Sequence, residues 1–205
     1  MKSDCRLATI LAHAGIKSDE ATGALAAPIH FSTTYQHPEF GKSTGFDYTR
    51  TKNPTRATLE KTLAAIEKAD YALATSSGMS AIVLAFEIFP VRAKVVAARD
   101  LYGGSFRWFN DKEKEGRFSF EYTNTEAELL AAISDDTDIV YIETPTNPLM
   151  VEFDIEKWRM RLMPRALSLL WTILFTAQFI KIQFHLELIL LCIQPQNIWQ
   201  DIMMS

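Results

Sequence analysis

Apolar positions along residues 53–142 switch repeatedly between helical and strand-like patterning. Leu59, Leu63 and Ile66 recur at helical spacing behind Asn53-Pro54. That pair starts helices, because Asn caps the first turn and Pro is tolerated at the first helical position. Residues 71–74 form a short continuous apolar run, as a buried strand does; Ser76-Ser77-Gly78 punctuates it, and residues 79–88 return to helical spacing. Residues 94–97 predict a second strand, Gly103-Gly104 precedes another helical stretch, and residues 118–122 predict a third strand. Asn124 predicts the cap of a helix carrying Leu129, Leu130 and Ile133, and residues 139–142 a fourth strand ended by Thr144-Pro145. Short apolar strands alternating with helices predict an α/β fold, with a mainly parallel sheet covered on both faces. Residues 1–50, rich in turn formers and aromatics, predict an extended N-terminal arm.

The pattern breaks near Lys157. Residues 158–205 contain no glycine and alternate Leu/Ile runs with isolated polar residues. The chain therefore divides into an arm (1–50), an α/β segment (51–157) and a hydrophobic tail (158–205). The longest apolar stretch of the tail, 166–180, has fifteen residues, short of the roughly 20 that span a bilayer. Extending it brings in Lys181, His185 and Glu187, each costly in lipid. A tail anchor is the weaker reading.

Composition narrows the function classes. The net charge of −4 is mild and mixed, which argues against nucleic acid and acidic membrane surfaces as partners. Cys5 and Cys192 are too few for a disulfide framework, and His13, His30, His37 and His185 lack metal-ligand spacing, so no metal site is expected. No apolar run follows a basic start at the N-terminus, and a cytoplasmic protein is expected.

Four segments carry candidate chemistry. Residues 74–79 (Ala-Thr-Ser-Ser-Gly-Met) pass from strand to helix; free amides and the helix dipole there suit a phosphate, and Gly78 permits close backbone approach. An ordinary strand-to-helix turn has the same composition. Tyr48 and Arg50 offer a hydroxyl and a guanidinium two residues apart, suited to phosphate oxygens or to a solvated loop. Tyr102, beside Gly103-Gly104 just past a strand, could cover a flat ring or pack in a turn. Residues 143–148 (Glu-Thr-Pro-Thr-Asn-Pro) follow a strand's C-terminal end, where α/β sheets place ligands.

Together, the order, spacing and content of the four segments resemble the pyridoxal-phosphate (PLP) enzymes of cysteine and methionine metabolism, the transsulfuration group. The likeness runs from about Thr9 to Lys157, and residues 43–47 (Ser-Thr-Gly-Phe-Asp) are most similar to the cystathionine γ-synthases. It implies an incomplete large domain of the fold-type-I, aspartate-aminotransferase-like transferases, with residues 51–157 as the N-terminal half of the PLP-binding domain. It further implies that Tyr48 and Arg50 grip the cofactor phosphate of a neighbouring subunit in a homo-oligomer. Ser77, Gly78 and Met79 would cradle the phosphate of their own subunit, Tyr102 would stack on the pyridine ring, and Asn147 would lie near its phenolic oxygen. Tyr102 and Tyr48 are the residues of this chain with an implied catalytic part. The implied reaction is γ-replacement on an acyl-homoserine by cysteine, with lyases and thiolyases of the same group as alternatives.

The same likeness implies residues the tail lacks: an aspartate for the pyridine nitrogen in a Val-Asp-Asn-Thr-like run, and a Schiff-base lysine in a Ser-Ala-Thr-Lys-like run. Lys181 is the tail's single lysine, and its neighbours do not match. Overlapping codons restore both runs. Trp171 is TGG and Thr172 begins AC, so the straddling triplet is GAC, aspartate. Residues 170–178 permit Val-Asp-Asn-Thr-Phe-Tyr-Ser-Pro, and a lysine codon straddles Gln196 and Asn197. The expectation is a one-nucleotide loss near the Lys157 codon, an inactive chain, and a sheet left with an open apolar edge. A non-catalytic subunit lending Tyr48 and Arg50 to an intact partner is the alternative from another class.

Overall fold

A computed structural model describes residues 7–13, 15–16, 19–67, 69–162, 168–173, 179–183 and 187–192. The chain forms two compact units, Met1–Ala74 and Thr75–Ser205.

The first unit holds helices α1 (Leu7–Ala12) and α2 (Pro54–Glu67), and strand β1 (Tyr71–Thr75) runs to its boundary. Residues 19–52 are turns and loops with isolated bridges, Thr34 to Tyr48 and Glu39 to Lys42. Asn53 caps α2 as predicted: its Oδ1 accepts the amides of Thr55 at 2.8 Å and Arg56 at 3.4 Å.

The second unit is a layered α/β structure. Its elements are α3 (Gly78–Glu87), β2 (Ala93–Ala98), α4 (Gly103–Lys114), β3 (Phe118–Thr123), α5 (Glu126–Ala132), β4 (Ile139–Glu143), α6 (Ile155–Leu162), β5 (Ser168–Ile173), β6 (Phe179–Gln183) and β7 (Glu187–Cys192). These six strands lie in the order β7-β6-β5-β4-β2-β3. β2 pairs in parallel with β3 and β4, and β4 in parallel with β5.

Alternation along the two central strands sorts the core into two layers, since successive side chains point to opposite faces. Val95 and Ala97 of β2, with Ile139 and Tyr141 of β4, pack against Ala81, Ile82, Ala85 and Phe86 of α3 and Phe109 of α4. Val96, Val140 and Ile142 pack on the other face against Leu129 of α5 and Trp158 and Leu162 of α6. Every residue of β4 is buried, as a central strand between two helical layers requires.

Local signals fix the helix ends. α4 stops in a two-bond glycine cap: Gly116, at φ +69°, donates to Glu113, and Arg117 donates to the Lys112 carbonyl at 2.9 Å. The cap of α5 is a correction. Thr125, one residue after Asn124, accepts the Glu128 amide at 3.1 Å, while Glu128 reaches back to the Asn124 amide at 2.8 Å. Thr-x-x-Glu is the capping-box sequence, with Glu128 here bonding the amide just before the cap, so Thr125 rather than Asn124 takes the cap position.

The tail corrects a second expectation. The edge of β4 is not open, because β5 pairs along it from Ile139 to Glu143. β6 then pairs antiparallel with β5, and β7 antiparallel with β6. Five residues (174–178) and three (184–186) separate these strands, whereas a parallel return needs a crossover of a dozen or more. Short links therefore dictate a meander. No helix among the described residues is long and apolar enough to cross a membrane.

Candidate functional site

The site residues fall in two groups, one in each unit. In the first unit Tyr48 sits on a bridge to Thr34, and its carbonyl accepts the amides of Thr51 and Lys52, both at 3.0 Å. The Arg50 guanidinium lies 5.0 Å from the Tyr48 ring centroid, within cation–π range. Arg50 is exposed, and among the described residues no carboxylate pairs with it. The loop is anchored at Asn53, whose Nδ2 donates to Thr49 Oγ1 at 2.6 Å and to the His30 carbonyl at 3.1 Å. Arg56 adds a bond to the Thr51 carbonyl at 2.6 Å.

In the second unit Ser77 is the N-cap of α3. Its Oγ accepts the Ser80 amide at 3.1 Å, and Thr75 Oγ1 donates to the Ser77 carbonyl at 2.9 Å. The Ser77 hydroxyl thus serves the cap as an acceptor, and its Oγ also lies 2.8 Å from Ser80 Oγ. Among the described residues no acceptor faces the amides of Gly78 and Met79. These are first-turn donors with the positive end of the helix dipole behind them.

Tyr102 and Asn147 sit on the loops that leave the C-terminal ends of β2 and β4. Those strands are parallel neighbours, so the loops emerge side by side. Tyr102 is the N-cap of α4 without a side-chain cap, and it is 41% exposed. Its ring lies over Gly104, where a Cβ would stand 2.3 Å from Tyr102 Cε1. Only glycine leaves room for the ring there. Asn147 is half-buried between two cis peptides, Thr144–Pro145 and Asn147–Pro148. Its loop is held from within by Thr146 Oγ1, which accepts the Val151 amide at 2.9 Å, and by Thr144 Oγ1, which accepts the Phe153 amide at 3.0 Å.

Two carboxylates join these loops. Glu143, the last residue of β4, is fully buried, and its Oε2 accepts the Tyr102 amide at 2.8 Å. Asp100 Oδ2 accepts the Leu149 amide at 3.2 Å in the opposite sense. Burial pushes the Glu143 carboxyl up to about 8; the Tyr102 amide opposes the rise and the Asp100 charge adds to it. Among the described residues Glu143 Oε1 has no partner. Sequence reasoning placed Glu143 in a candidate segment but gave neither it nor Asp100 a part in the site. The legible signal was a carboxylate closing an otherwise apolar strand, a position where burial without a task is expensive.

The free amides of Gly78 and Met79 suit a phosphate, and the half-exposed ring of Tyr102 suits a flat ring. The sequence profile described as "Cys/Met metabolism PLP-dependent enzyme" matches residues 8–164. The chain belongs to this family. It is 46% identical over 150 residues to the cystathionine γ-synthase/O-acetylhomoserine (thiol)-lyase of Bacillus subtilis, covering 72% of this chain and 40% of that protein. It is 47% identical over 150 residues to the cystathionine γ-synthase of Haemophilus influenzae, covering 72% and 41%. Among solved structures it resembles metB from Corynebacterium glutamicum, with a TM-score of 0.75 and 32% identity over 82% of this chain and 45% of that one. It also resembles the cystathionine γ-synthase of Xanthomonas oryzae pv. oryzae in complex with aminoacrylate and cysteine, with a TM-score of 0.73 and 33% identity over 82% and 44%. These neighbours share the PLP-dependent transferase fold expected from the sequence. The chain spans about two fifths of the length of the curated relatives it matches.

Proposed function

We propose that this chain carries the phosphate-binding and ring-facing part of a PLP enzyme of the cystathionine γ-synthase type, whose reaction is γ-replacement on an acyl-homoserine by cysteine. The observation that carries the reading is the convergence of Tyr102 and Asn147 on adjacent strand ends, tied together by Glu143 and Asp100. The names of the relatives at 46% and 47% identity support the substrate class.

Bound PLP supplies an electron sink for the substrate's developing carbanion. The amides of Gly78 and Met79 fix its phosphate. Tyr102 would cover one face of the ring and keep water from it, and Asn147 would lie near the phenolic oxygen. Tyr48 and Arg50 serve the phosphate of a neighbouring subunit, so the working form is a homo-oligomer. We infer further that this chain does not itself turn over, because residues 158–205 hold no lysine in a family-like setting. The profile match extends to residue 164, and the overlapping codons of the tail support a lost nucleotide near Lys157.

The test is a pair of assays for cystathionine made from an acyl-homoserine and cysteine. The chain as written is expected to give none. The product of the gene with one nucleotide restored near the Lys157 codon is expected to give it. An active unaltered chain, or stop codons in the shifted frame of the genomic DNA, overturns the account.

A further inference from the structure

We propose that Glu143 is a positioning residue for Tyr102, and that with Asp100 it locks the β2–α4 and β4–α6 loops into one unit. The inference rests on the reading that Tyr102 faces the cofactor ring.

Tyr102 is fixed at three points. Its amide donates to Glu143 Oε2 at 2.8 Å. Its carbonyl accepts the Phe106 amide at 3.1 Å, seating it on the first turn of α4. Its ring rests on the bare backbone of Gly104. Of these, the bond to Glu143 is the one that reaches from another strand and so sets where the turn stands relative to β4. The return bond, from the Leu149 amide to Asp100 Oδ2, makes the tie reciprocal. Each loop supplies one carboxylate and one amide, so neither slides along the sheet without breaking both bonds.

Burial explains why the tie is specific. Glu143 is fully buried, and Tyr102 is its one hydrogen-bond partner among the described residues. A buried carboxyl kept for packing alone is costly beside an apolar residue of the same size. Its retention at the end of β4 is accounted for by the amide it holds. Because burial keeps this carboxyl neutral to about pH 8, glutamine reproduces both its charge state and its acceptor.

The experiment uses the full chain, with amide hydrogen exchange at Tyr102 and titration with pyridoxal phosphate followed by its induced circular dichroism. Glu143→Ala is expected to speed Tyr102 exchange and weaken pyridoxal phosphate binding about tenfold, the effect of one lost hydrogen bond. Tyr102→Ala weakens binding by a similar factor, and the double variant shows no further loss, because Glu143 acts through Tyr102. Glu143→Gln restores both the protection and the affinity. Additive losses, or a Glu143→Gln variant as impaired as Glu143→Ala, overturn the proposal, as does a Tyr102 amide that exchanges in the unaltered chain as fast as an open loop. If the unaltered chain takes up no pyridoxal phosphate, the cofactor reading fails, and the exchange arm still decides the positioning role.

Discussion

Glu143 ends a strand whose other residues are all apolar or aromatic, and its chemistry follows from that placement. In the unfolded chain its carboxyl releases a proton near 4.5; in the folded chain burial holds the proton to about 8. Between those values the folded state binds one proton more than the unfolded state. This contribution to stability is therefore full below pH 4.5 and is lost as pH rises through 8, on the order of a few kcal/mol in all. Glu143→Gln is expected to flatten that decline, read from denaturation midpoints between pH 5 and pH 9. A decline of unchanged slope would place the carboxyl's ionisation elsewhere. Gly104 supplies the second prediction at this scale. Gly104→Ala drives a methyl into the Tyr102 ring and is expected to swing this half-exposed ring aside with little change in stability, because alanine also favours the helix by about 1 kcal/mol over glycine. The ring resonances of Tyr102 report the displacement, and an unshifted ring would contradict the packing.

At the scale of elements, α3 and β4 meet through Phe86. Its ring lies 5.0 Å from Phe109, 5.3 Å from Phe118 and 5.8 Å from Tyr141, and it is fully buried. Phe86→Ala is expected to cost about 3–5 kcal/mol by chemical denaturation; a cost below about 1 kcal/mol would mean the layer does not pack as described. Thr125→Ala removes the cap of α5 and is expected to cost about 1 kcal/mol, whereas Asn124→Ala leaves the cap in place. The four strands and four helical stretches between residues 53 and 142 were legible because their apolar runs are bounded by glycine, proline and capping residues. The cap of α5 was misplaced by one residue because Asn124 and Thr125 are both good caps, and the reach of Glu128 decides between them. The meander of β5–β7 was not legible, because residues 180–188 alternate apolar and polar at strand period but no glycine, proline or asparagine in residues 174–178 or 184–186 marks a turn between strands. There the length of the links, rather than the pattern, sets the strand directions.

For the whole molecule, the sequence supplied candidate motifs and not their connection. Tyr48, Arg50, Gly78 and Tyr102 were singled out as residue types suited to a phosphate or a ring, whereas the parts given to Ser77, Met79 and Asn147 came from the family resemblance. The Glu143 and Asp100 bonds join positions 41 and 49 residues apart in sequence, and no local pattern announces such a pairing. The central claim is that the chain holds the phosphate and ring contacts of a PLP enzyme without a lysine to fix the cofactor covalently. The most direct test is to saturate the purified chain with pyridoxal phosphate, reduce with borohydride, remove free cofactor and weigh the intact protein. The account predicts saturable binding before reduction, competed by inorganic phosphate, and no stoichiometric gain in mass afterwards. A single reduced adduct, on Lys181 or any other lysine, at one per chain would contradict it.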